Sequence, residues 1–149
     1  MALTLDGSLG VNAPGLASSG VTTLGETTTV NTGGASGTIN LYVNTQSVLY
    51  YTGNASANWT LNIAASNSST LNSLMAVGET RTVTLMVTNG STAYYQTTFQ
   101  IDGTGVTPKW LNGLAPSSGD ASSIDVYTFA ITKIASATYT VLATQTKFA

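Results

Sequence analysis

The sequence predicts an all-β protein, an antiparallel β-sandwich or jelly-roll-like domain of residues 38–149, with an extended N-terminal arm over residues 1–37 and at most one short helix. Three observations carry this prediction. Apolar and polar residues alternate along most of the chain, the period of a half-buried strand. β-Branched and aromatic residues fill those alternating runs. Turn signals built from Gly, Asn, Asp and Pro separate the runs at short intervals, with no alternation of strand and helix.

The first 37 residues differ from the rest. Asp6-Gly7-Ser8, Ala13-Pro14-Gly15, Ser18-Ser19-Gly20 and Thr32 to Gly37 interrupt the segment too often for it to hold a core of its own. It still carries spaced apolar residues, Leu3, Leu5, Leu9, Val11, Leu16, Val21 and Leu24. An extended arm that buries them on a neighbouring subunit or on a larger particle accounts for both features. The alternative is one more edge strand after a disordered start.

Beyond the arm, Ile39, Leu41 and Val43 share one strand face, as do Trp59, Leu61 and Ile63. Leu71, Leu74 and Met75 have helical spacing, and Gly78 is placed to end that helix. Val83, Leu85 and Val87 alternate with Thr82, Thr84, Met86 and Thr88, a strand with a threonine-covered outer face. Asn89-Gly90 then predicts a tight hairpin that pairs this strand with the run from Ala93 to Ile101. Asp102-Gly103 predicts a further reversal, and Pro108 keeps Thr107 extended. Ile124 to Ile134 and Ala137 to Ala143, joined through Ala135-Ser136, read as a final antiparallel pair.

Composition narrows the function. Of 149 residues only 7% are charged, where roughly 25% is ordinary, and the net charge is −2. Thr, Ser and Asn supply the polarity, leaving a wettable surface with little electrostatic defence against association. No basic run offers a footprint for a phosphate backbone, so no nucleic-acid partner is expected. Cysteine and histidine are absent. That removes disulfides, thiol nucleophiles and the commonest general base. The N-terminus does not read as a signal peptide, and no apolar run approaches a membrane span, so synthesis in a cytoplasm with no membrane partner is the expectation.

The carboxylates are Asp6, Glu26, Glu79, Asp102, Asp120 and Asp125. No spacing sets two of them across a sugar cleft, and Asp120 with Asp125 lacks the loop spacing of a Ca²⁺ site. No catalytic residue, metal or cofactor is therefore assigned, and the chain reads as non-enzymatic. Asn54, Asn58, Asn67 and Asn89 match the glycosylation sequon, a chance result of high Asn, Ser and Thr content. Trp59 reads as core. Trp110, Tyr94 and Tyr51 are the candidates for surface recognition; in Tyr50-Tyr51 and Tyr94-Tyr95 one ring of each pair should face outward.

Ser47 to Thr52, Ala57 to Ile63, Val87 to Tyr95, Gln100 to Gly103, Val106 to Trp110, Ala121 to Tyr127 and Gln145 to Ala149 carry a family likeness. Through these stretches the chain from Ala35 to Ala149 resembles a domain of virion structural proteins of tailed phages of marine and freshwater bacteria, cyanobacteria in particular. Such domains sit at the C-terminal end of structural or appendage proteins, behind varied segments that match a place on the particle. The resemblance implies a reusable head behind a specific anchor, made in the host cytoplasm and carried on the virion. A capsid decoration, or cement, protein is the first expectation. It would bind the major capsid protein between subunits and associate with itself as a trimer whose rings cover open sheet edges. A tail or head fibre with a glycan-binding β domain is the alternative, and a sugar-binding module resting on exposed aromatics is a third.

Overall fold

The structure, a computed structural model, describes residues 26–149. The arm residues Leu3, Leu5, Leu9, Val11, Leu16, Val21 and Leu24 lie outside them. Among the described residues the chain is mostly strand, arranged in two sheets: β1 (Thr28–Gly34), β3 (Val48–Gly53), β5 (Thr80–Thr88), β8 (Lys109–Trp110), β9 (Ile124–Ala135) and β10 (Thr138–Phe148) form one, and β2 (Gly37–Tyr42), β4 (Trp59–Ala64), β6 (Gln96–Ile101) and β7 (Thr104–Gly105) the other. Strand pairing begins at Thr28, inside the 1–37 segment that the sequence sets apart.

The alternating residues face inward as their period requires. Ile39, Leu41, Trp59, Leu61, Ile63, Phe99 and Ile101 of the smaller sheet meet Leu49, Val83, Leu85, Val87, Tyr127, Phe129 and Ile131 of the larger in one core. Aromatic rings join the layers. Phe99 stacks on Phe129 at 4.7 Å between centroids, and Trp59 meets Tyr127 edge-on at 5.8 Å.

The pairing is where the sequence expectation fails. An antiparallel sandwich or jelly roll places antiparallel neighbours together, yet β1–β3–β5 and β2–β4–β6 are parallel runs. The chain alternates between the sheets, strand by strand, and returns beside itself as a coil of about twenty residues: Thr28 lies beside Val48, and Gly37 beside Trp59. Equivalent triplets therefore stack, Thr38-Ile39-Asn40 on Thr60-Leu61-Asn62 on Thr98-Phe99-Gln100, with the middle residue inward each time. On the outside, Asn62 Nδ2 donates to Asn40 Oδ1 at 2.9 Å. Antiparallel partners end the coils. β9 pairs with β5, β10 with β9 as the sequence predicts, and β7 with β6.

Two turn expectations part ways for a physical reason. Asp102 and Gly103 both have positive φ and link Ile101 to Thr104, the two-residue reversal expected of them. Asn89-Gly90 makes no hairpin, and β5 and β6 lie in different sheets. The Asn89 side chain is instead buried and clamps backbone: Nδ2 donates to Tyr94 O, and Oδ1 accepts from Tyr94 N, both at 3.1 Å. That clamp steers the chain across to the opposite layer.

The second coil, from β3 round to β5, is lengthened by residues that include α1 (Leu71–Leu74), shorter than the helical spacing implies. Thr70 caps it, and Asp102 accepts from Leu71 N at 2.6 Å and Asn72 N at 3.0 Å. At its other end Lys133 Nζ donates to Asn72 O at 2.6 Å and Met75 O at 2.8 Å. An anion and a cation thus bracket one short helix as its dipole favours.

Candidate functional site

Between β7 and β9 the chain runs over the far edge of the larger sheet. Pro108 enforces an extended approach to β8, whose Lys109 and Trp110 pair in parallel with Leu142 and Ala143. The Trp110 ring turns inward and meets Phe129 edge-on at 5.9 Å, extending the aromatic stack to the rim. A 3-10 turn over Leu111–Gly113 follows, with Asn112 and Gly113 at positive φ. Its consequence is exposure: Leu111 is 65% and Leu114 77% exposed, beside Leu142 at 55%. These leucines border two open clefts that share Trp110, Leu111, Asn112 and Thr144. One, of about 480 Å³, continues over Ala130 and Leu142, and the other, of about 270 Å³, reaches Pro116 and Gln145.

The three residues nominated from sequence do not come together. Trp110 is on β8, while Tyr51 is on β3 with β5, β9 and β10 between them. Tyr51 is the inward member of its pair, half-buried against the core, and burial pushes its hydroxyl pKa up. Tyr94 lies in the crossing between the sheets, also packed on the core and held by Asn89. Leu111, Leu114 and Leu142 went unnominated. The signal available in the sequence was Leu111-Asn112-Gly113-Leu114, two large apolar residues flanking a turn dipeptide.

A buried polar node sits behind the loop. Asp125, on β9, has no exposed surface, and its Oδ2 accepts from Asn89 Nδ2 at 3.1 Å, Asp120 N at 3.1 Å and Gln145 Nε2 at 3.2 Å. Gln145 Nε2 also donates to Ser118 O, and Ser123 Oγ donates to Asp120 O. One carboxylate thereby ties the sheet crossing, the Ser118–Ser123 loop and β10 together. Burial, and then the charge of Asp120, raise its pKa, against the pull of the Asp120 amide and Gln145. Among the described residues its Oδ1 has no hydrogen-bond partner, nor do the Tyr127 hydroxyl, Gln96 Oε1 and Trp59 Nε1. The chemistry of this node is positional: it fixes loops, and its acid is sealed from the surface. Among the described residues no three of His, Cys, Asp or Glu stand together as metal ligands. No helix there is long and apolar enough to cross a membrane.

No protein-family model matches this chain, and neither a curated protein nor a solved structure matches it.

Proposed function

We propose that this chain is a non-enzymatic virion structural protein of a tailed phage, one that decorates the capsid and stabilises the head. The two-sheet body is read as a β-sandwich head, and the N-terminal segment as the arm that anchors it to the major capsid protein. One observation supports this most. A segment with spaced apolar residues leads into β1, an exposed edge strand of a body that already has its own core. Such a layout gives a stable head and a separate source of attachment. Each copy would bury arm surface worth about 25 cal/mol per Å² against the outward pressure of packaged DNA. Copies also associate, in rings of three where sheet edges meet, and the chain is made in the bacterial cytoplasm before joining the virion.

The appendage reading is favoured by the cleft beside Trp110, where an aromatic ring, the Asn112 amide and exposed leucines line one surface. In that reading the same domain tips a fibre and binds host glycan. The copy number per purified virion, measured by quantitative mass spectrometry against the major capsid protein, separates the two. Copies approaching the number of capsid subunits are expected; a handful would overturn decoration in favour of an appendage.

A further inference from the structure

The outer face of the larger sheet is crossed by rows of residues in register. One row reads Thr28, Val48, Thr84, Thr128, Thr144, and the next Val30, Tyr50, Met86, Val126, Thr146. No Asp, Glu, Lys or Arg projects outward from β1, β3, β5, β9 or β10 among the described residues. Arg81, Asp125 and Lys133 fall on inward positions, Lys147 alternates with outward Thr146, and Lys109 stands at the rim on β8.

We infer that this uncharged face is where two copies of the chain meet, sheet against sheet, about a twofold axis. Three arguments select a second copy as its occupant. Parallel strands are characteristically covered on both faces, and among the described residues β3 and β5 are covered on one, while β1 is exposed along nearly its whole length. The five long strands contribute 7, 6, 9, 12 and 11 residues. At strand spacing and rise this is on the order of 700 Å², close to the ~800 Å² per partner of a stable interface. A twofold contact brings each residue's surroundings against an identical set, which a charged face resists and this one does not. Threonine methyls with Val30, Tyr50, Met86 and Val126 then bury on one another as two inner sheet faces do.

Face pairing uses a different surface from the sheet edges and is independent of where on a particle the protein works. The full chain, purified alone, should therefore sediment as an even number of copies, a dimer, or a hexamer where edges also close rings of three. Thr128→Lys sets two like charges near the centre of the contact and should weaken pairing by at least about a hundredfold. Thr84→Lys repeats the test one strand away. Thr60→Lys, on the outer face of the smaller sheet, should leave the oligomer unchanged. Each variant is checked for unaltered circular dichroism, and either central variant suffices if the other misfolds. A wild-type chain that sediments as a monomer or a trimer overturns the proposal, as does an even oligomer that survives the central lysines.

Discussion

A carboxylate shut away from water is held there by its donors or neutralised by a proton, and Asp125 feels both forces. Its Oδ2 collects three N–H groups, yet burial raises its pKa above the ordinary value of 3.8. The folded protein therefore keeps this proton to higher pH than the unfolded chain does. The stability linked to it is complete below the unfolded value and is lost as pH rises through the raised folded one. Asp125→Asn retains an oxygen for the three donors and does not ionise. Its Tm relative to wild type should climb as pH goes from about 4 towards neutrality, read by thermal unfolding across that range. A constant difference would mean that the donors balance burial, and a falling one that they outweigh it. Asp125 falls inside the predicted strand from Ile124 to Ile134 with nothing local to mark this node, because Asn89 and Gln145 are brought to it by packing between distant segments.

Individual strands were legible because their faces are local: Ile39 and Leu41, Trp59 to Ile63, and Val83 to Val87 all bury the predicted residues. Partner choice was not legible, because it depends on where each chain reversal sends the next strand. Asn89-Gly90 has hairpin chemistry but spends the Asn89 amide on Tyr94, five residues on, whereas the Asp102 carboxylate caps the distant α1 and leaves the two-residue turn at Asp102-Gly103 intact. The coil repeat was hidden by its unequal spacing: Ile39 lies beside Leu61, but the α1 insertion separates Leu61 much further from Phe99. Glycine reveals the coil afterwards. Gly34 and Gly53 are register partners where successive turns close up, and a Cβ on Gly34 would lie 2.0 Å from Asn54 O. Gly34→Ala should lower unfolding free energy by about 2–3 kcal/mol, since backbone rather than a flexible side chain must yield. Gly103→Ala, with positive φ but open space around its Cβ, should lose about 1 kcal/mol. Urea titration of the two variants compares them.

At the scale of the molecule, the core shared by the sheets draws on residues from Ala35 to Ala143. Deleting Met1 to Leu24 should therefore leave a body that unfolds in one cooperative step, while binding to particles lacking the protein is lost. Undiminished binding by the truncated form would remove the arm from the proposed role. Low charge and the outer threonines were plain in the sequence; that they merge into one continuous face followed only from the register. The same register has a mechanical meaning. β10 runs antiparallel to β9, which runs antiparallel to β5, so β10 points the same way as β1, β3 and β5. The start of β1 and the end of β10 consequently lie at opposite ends of the sheet and along opposite edges of its long strands. Tension applied between them pulls the strands lengthwise past one another, and the inter-strand hydrogen bonds share the load together instead of opening one by one. A protein held by its N-terminal side and strained from its C-terminal side would behave as a stiff link, yielding abruptly at high force rather than peeling gradually.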